Sequence, residues 1–475
     1  MCRFCNQPDT RSTVNIARPG VLAEQYAPHM RTASSVRQLL VKVHRYVGLA
    51  LALFLIIIAA TGSVITFYTE LERAFNSKLR VVEPREPAWT LHDLLVIRER
   101  LESQDRRAHV FSLQFPQRPD ESVFSRVEGA VNPASGEPFE LNYSEVFANP
   151  YTGERLGERR FGHFSLQPKD LIAQIYFLHY ALVLPELAGA MFVGILSLIW
   201  TFDCFVGLYL TLPASSAGSR AGNKRFLHRW KTAWQIKRGA GTNRLVYDLH
   251  RATSLWLWLI LLVFAWTGFA LNLPGPYASV MSSISDYEHF QELSHRPTLD
   301  TPLVNPPVDW YQALRLGQSY LADEARTHGF SVERPAALEY RRDLGVYFYL
   351  THTSRDLKDG GRRTETDSPA TAATVEIDAR DGRLLGIQVP TGQRAGNTFS
   401  SWIVALHVAS VFGLPWKIAV CLIGIVLVAI TLTGVLIWWR KRRSRRGSNH
   451  RAGRARNSTP AGQTGLVPEQ PTPIN

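Results

Sequence analysis

Four apolar stretches constrain this chain more than anything else in it. They run at about 47–68, 187–212, 255–273 and 416–439. Each is long enough to cross a hydrocarbon layer about 30 Å thick, which takes roughly 20 helical residues. No water reaches backbone polar groups inside such a layer, so each stretch is expected to be helical. One charge, Asp203, interrupts the interior of the second. The first follows about forty hydrophilic residues and has no Ala-x-Ala cleavage site close behind it, so it reads as a retained anchor.

The formal net charge is +13, and its placement decides what it means. Arg31, Arg37, Lys42 and Arg45 precede the first stretch, RAGNKRFLHRWKTAWQIKRGAGTNR joins the second to the third, and RKRRSRR follows Trp439. In a four-crossing chain these regions share one side, and a lysine/arginine excess marks the cytoplasmic side. Such runs fit anionic lipid rather than nucleic acid. The expected order is a cytoplasmic tail (1–36), first crossing (37–69), outer domain (70–170), and second crossing with an outer extension (171–212). A basic loop (213–248), third crossing (249–273), second outer domain (274–398), fourth crossing with extension (399–440) and a disordered basic tail (441–475) complete it. Both ends are thereby placed in the cytoplasm. Cys2 and Cys5 lack nearby partners for a metal site, Cys204 and Cys421 lie within crossings, and the outer regions contain no cysteine to form disulfides.

Histidines recur in register. His44 and His250 each precede an arginine (Arg45, Arg251), and each has a Thr-Gly pair 17 and 18 residues on, Thr61-Gly62 and Thr267-Gly268. The return crossings match too. Leu-His precedes an apolar run broken by a proline, His179 with Pro185 and His407 with Pro415, and a glycine lies deep in each, Gly207 and Gly434. The outer segments repeat a plan of their own. WTLHDLLVIRERLES and WYQALRLGQSYLADEA have helical periodicity. Alternating runs follow them and close on strand–turn–strand signatures, VFANPYTGERLGE and TVEIDARDGRLLG. The expected fold is a membrane four-helix bundle from two duplicated halves, with two extracytoplasmic α+β domains.

These hairpins resemble PepSY domains, and joined to His-Arg spans the chain resembles the PepSY-associated transmembrane family over about 37–440. The first hairpin departs by reading Asn149-Pro150-Tyr151-Thr152-Gly153, and 357–372 is a polar insertion. The family includes iron-regulated inner-membrane proteins and haem-bearing reductases of ferric siderophores. The resemblance therefore implies haem b, two per chain, and a ferric chelate as periplasmic partner.

Topology sets depth. His44 and His250 begin outward crossings and His179 and His407 precede inward ones, so each pair shares a level. Two imidazoles at one depth suit a six-coordinate haem. Gly48 and Ser254, four residues after the inner histidines, are small enough for a porphyrin to lie against the helix. Arg45 and Arg251 are placed to meet propionates. Val183 and Val411 follow the outer pair, and the Thr-Gly pairs are read as close helix packing. The apparent helix from His179 to Leu212 is about 33 residues, roughly 50 Å, and Pro185 and Pro415 are expected to open or bend the two return helices. His163, His228, His295, His328 and His352 lie in polar segments and are expected to be solvated, with His163 a reserve outer ligand. No Gly-rich nucleotide motif is present, since the Gly-Ala-Gly at Gly239 follows no strand, so a separate cytoplasmic donor is implied. The alternatives are a non-enzymatic PepSY protein regulating a peptidase or assisting a transporter, and a small-solute or metal transporter.

Overall fold

The computed structural model describes residues 27–165, 167–213, 223–239, 241–288, 298–357 and 372–457. Cys2, Cys5, His295, nearly all of the 357–372 insertion and the chain after 457 lie outside them.

Helix α1 (Ala27–Ile65) makes the first crossing. Short helices α2 (Tyr68–Phe75) and α3 (Ser77–Arg80) lead from it into a sheet domain. There α4 (Leu91–Gln104) starts at a reciprocal cap between Thr90 and Asp93. Strands β1 (Ala108–Gln114), β2 (Val123–Gly129), β3 (Glu145–Ala148) and β4 (Arg155–Arg159) follow. The chain returns through α5 (Leu171–Ala181) and α6 (Glu186–Thr211). After α7 (Asn223–Lys231) come α8 (Thr242–Trp256), α9 (Trp258–Asn272) and α10 (Pro274–Ile284). A second capped helix, α11 (Trp310–His328), precedes β5 (Val332–Arg341), β6 (Val346–Thr353), β7 (Ala373–Asp378) and β8 (Leu384–Gln388). Finally α12 (Ala395–His407) leads into α13 (Gly413–Asn457), which stays helical through the basic run after Trp439.

Three helices are long and apolar enough to cross a membrane, and α8 with α9 supplies a fourth crossing if the bent pair counts as one. Leu53, Phe202, Leu259 and Leu422 point outward from these helices, as lipid contact requires. Small residues let the helices approach: Gly424 lies against Ser63, whose hydroxyl donates to Cys421 O at 3.0 Å. Ala59, Leu261, Leu427 and Ile430 fill the centre between α1, α9 and α13.

The crossings break at three places, one unforeseen in the sequence and two beside the prolines expected to bend their helices. The third crossing bends by 70° at Leu257 instead of running straight through 249–273. The flanking indoles are fastened to different neighbours, Trp256 Nε1 to Trp234 O and Trp258 Nε1 to Cys204 O, and this holds the two arms apart. No continuous helix runs from His179 to Leu212. Leu182 and Val183 take positive φ values of 53° and 59°, and the chain turns before Pro185 opens α6. Ala409 and Phe412 do the same before α13. Positive φ at a β-branched residue such as Val183 costs of order 1–3 kcal/mol and persists only where its surroundings impose it.

The two outer units share one sheet rather than forming separate ones. Its eight antiparallel strands run β4-β3-β2-β1-β5-β6-β7-β8, joined at the middle by Ser112↔Glu339, Leu113↔Leu338 and Gln114↔Ala337. Pairing β1 with β5 covers one edge of each half, so that β4 and β8 are the edges of the described sheet. Helices α4 and α11 cover one face through a core that includes Leu94, Leu113, Leu321, Leu338 and Tyr347. His352, expected in solvent, is fully buried on β6, its Nδ1 2.8 Å from Asp356. A buried ionic cluster ties the sheet to the crossings. Arg159 bonds both Glu145 and Glu72, and Glu72 also holds Arg80 at 3.2 Å.

Candidate functional site

Every one of the four histidines is seated on a neighbouring helix through the same ring nitrogen. His179 on α5 places Nδ1 2.9 Å from Ile58 O and 3.2 Å from the Thr61 hydroxyl, both on α1. His250 on α8 places Nδ1 2.9 Å from Ile430 O and 3.3 Å from the Thr433 hydroxyl on α13. His407, closing α12, uses Nδ1 toward the Thr267 hydroxyl of α9. His44 on α1 places Nδ1 2.9 Å from the Asp203 carboxylate on α6.

The seats share a local cause. Each threonine hydroxyl donates back to carbonyls of its own helix, Thr61 to Ile57 O at 2.7 Å, Thr267 to Val263 O at 2.6 Å and Thr433 to Ile430 O at 2.7 Å. This leaves the oxygen free to accept an imidazole N–H, and a helix carbonyl has a second lone pair for the same purpose. At two seats the glycine that follows removes a Cβ that would crowd the ring: a Cβ on Gly62 would stand 2.9 Å from His179 Cε1 and one on Gly434 3.1 Å from His250 Cε1, whereas one on Gly207 would make an ordinary contact with His44 Cε1 at 3.5 Å. Gly268 instead admits Ser197 of α6.

Seating Nδ1 leaves Nε2 as the ring's other coordinating nitrogen. The His44 and His250 ring centres are 6.3 Å apart and those of His179 and His407 6.4 Å. A metal atom about 2 Å from one nitrogen of each ring would set their centres about 6 Å apart. None of the four Nε2 atoms has a hydrogen-bond partner among the described residues, and none is sealed off as Nε2 of His109 and His352 is. The pairs lie at two levels. Along α1, His44 and Ile58 are 14 residues apart, about 21 Å at 1.5 Å per residue.

The other residues singled out in the sequence divide. Gly48 borders open space, since a Cβ there would touch nothing. Ser254 and Arg45 are half-buried. Arg251 bonds Asp248 and Thr232 O, each at 2.9 Å, while its Nε is buried without a partner. His163, His228 and His328 are exposed.

Sequence reasoning took Thr61 and Thr267 as packing residues. Gly62 and Gly268 do serve close packing, but the threonine hydroxyls hold the outer histidines. It also passed over Thr433 and the partnership of Asp203 with His44. A recurring five-residue pattern was the available signal: Ile58…Thr61-Gly62, Phe264…Thr267-Gly268, Ile430…Thr433-Gly434 and Asp203…Val206-Gly207. Among the described residues no cluster of three or more His, Cys, Asp or Glu could hold a bare metal ion. Each level therefore offers two imidazole nitrogens among the described residues.

No curated protein matches the chain. The family model for the PepSY-associated TM region matches residues 41–441, a range that takes in the apolar cores of the three long helices, the bent α8–α9 pair and the whole sheet. The chain is a multi-pass membrane protein and belongs to the PepSY-associated transmembrane family.

Proposed function

We propose that this is a di-haem b electron-transfer protein of a bacterial inner membrane that reduces ferric chelates, siderophores among them, on the periplasmic side. Both termini then lie in the cytoplasm, and the two halves are duplicates within a four-helix bundle, as the mirrored sheet order and the repeated histidine seats support. The observation that carries the reading is the pair of facing imidazoles at each level, with Nδ1 engaged and Nε2 open. Two nitrogens suit a metal whose remaining positions are filled by its own macrocycle, and a six-coordinate haem meets that condition.

His44 and His250 would hold the cytoplasmic-side group, and His179 and His407 the periplasmic-side one. When bound, each supplies an iron that changes valence by one electron. The protein does the rest. Thr61, Thr267, Thr433, Asp203 and two helix carbonyls fix the tautomer and orientation of the four rings, so Nε2 needs little rearrangement when the iron changes charge. Gly48 leaves room beside α1 for a flat ring, while Arg45 is available to a propionate. The surrounding apolar side chains keep water out and raise the cost of charging the site. A ferric chelate reduced at the sheet side loses affinity for hard oxygen ligands, which frees the iron for import. The donor is a separate cytoplasmic or membrane-borne reductant, and the basic segments bind anionic lipid at that face.

The test is stopped-flow reoxidation of the dithionite-reduced, anaerobic protein. Mixing with ferric hydroxamate or catecholate chelates is expected to reoxidise it, and His407→Ala is expected to abolish the fast phase. No reoxidation by any chelate class would remove ferric chelates as the acceptor.

A further inference from the structure

Three of the four histidine seats are neutral. His179 and His250 rest on a carbonyl with a threonine hydroxyl beside it, and His407 on a threonine hydroxyl. The fourth departs from the pattern at two positions together. Val206 stands where the others have threonine, three residues after Asp203, which stands where the others have Ile58, Phe264 and Ile430. Valine has no oxygen to offer, and the carboxylate takes over the contact to His44 Nδ1 at 2.9 Å. Asp203 is 8% exposed and is the one charge in the interior of its crossing. An intramembrane carboxylate is costly and needs a partner. A neutral threonine would have held the ring at less cost, as it does at the other seats, so orientation alone does not account for Asp203.

We infer, resting on the two-haem reading above, that Asp203 acts through His44 as a positioning residue that makes the His44/His250 site the lower-potential of the two. A carboxylate accepting the Nδ1 proton gives the imidazole partial anionic character and makes Nε2 a stronger donor to iron. Fixed negative charge in a low-dielectric region also favours Fe(III) over Fe(II). The histidines of the other level have only dipoles at Nδ1, so their site keeps the higher potential. Internal transfer is then downhill from the cytoplasmic side to the periplasmic side. One electron leaves Fe(II) at the first level, which becomes Fe(III), and reduces Fe(III) at the second to Fe(II), with no proton or bond exchanged. The duplicated plan is thus made directional by one substituted seat.

The experiment is an optical redox titration of the full-length detergent-solubilised protein with both groups bound, using dithionite and ferricyanide. His250→Ala identifies the component belonging to that level by its disappearance, and the missing component is expected to be the lower-potential one. Asp203→Asn keeps an oxygen near His44 but removes the charge. It is expected to shift that component's reduction equilibrium by about tenfold or more toward Fe(II), about 59 mV for one electron, and to leave the other unmoved. Asp203→Glu is expected to restore the low value. The double variant Asp203→Ile with Val206→Thr rebuilds the neutral seat and is expected to raise the potential while retaining the group, should Asp203→Asn release it. Loss of the higher-potential component in His250→Ala, or unchanged potentials in both the Asn and the rebuilt variants, would overturn the inference alone. A wild-type protein without Soret and α bands would instead sink the two-haem reading before any titration.

Discussion

At the scale of single residues, the four seats are unequal in how much each hydrogen bond matters. His179 and His250 each have a carbonyl and a hydroxyl within reach of Nδ1, whereas His407 has Thr267 as its one hydrogen-bond partner among the described residues. Thr267→Val preserves shape but removes the acceptor, and loss of such an orienting partner typically weakens metal affinity about 10- to 100-fold. Titrating the apoprotein with haemin is expected to show that loss at the outer level for Thr267→Val. Thr61→Val, which leaves Ile58 O in place, is expected to bind nearly as the wild type. Equal losses for both would show that Ile58 O does not hold His179 without the hydroxyl, and no loss for Thr267→Val would show that the hydroxyl is not what seats the ring. The histidines were legible in the sequence because their spacing repeats along the chain. Their partners were not, because Thr61 meets His179 and Thr267 meets His407 across 118 and 140 residues, and nothing in local periodicity marks such a contact.

At the scale of elements, helices and hairpins of the sheet domain follow from local chemistry. Thr90 with Asp93 and Asp309 with Gln312 start the two covering helices, and Gly153 and Gly382 supply the positive φ that their hairpin turns require. What local chemistry could not specify is which edges meet. The pairing of β1 with β5 and the bend at Leu257 are set by partners far along the chain. The buried cluster beneath β3 and β4 has the same origin. Arg159 lies between Glu145 and Glu72, and those carboxylates in turn hold its guanidinium in the charged form despite burial. Replacing it with leucine strips Glu145 of the cation it bonds and leaves Glu72 to Arg80 alone, and breaking such a cluster costs about 3–5 kcal/mol. Thermal unfolding of Arg159→Leu is expected to show a clearly lowered midpoint. Lys417→Ala, which removes a more exposed pair with Glu70, is expected to change stability by less than about 1 kcal/mol. A small effect for Arg159→Leu would mean that other contacts hold the sheet to the crossings.

At the scale of the whole molecule, α1 joins the two levels, since it carries His44 and also the Ile58–Thr61 seat of His179. The outer pair stands at the breaks that precede α6 and α13, beside the junction with the shared sheet. The inner pair faces the basic segments. Two matched imidazole pairs, one above the other, suit the proposed stepwise electron transfer across the membrane. The most direct test is the cofactor content and visible spectrum of the purified protein, oxidised and reduced, for the wild type and for His44→Ala and His407→Ala. Two low-spin haems per wild-type chain, with one remaining in each variant, is the predicted result. A wild-type chain without haem, or one substitution that removes both groups, would contradict the account.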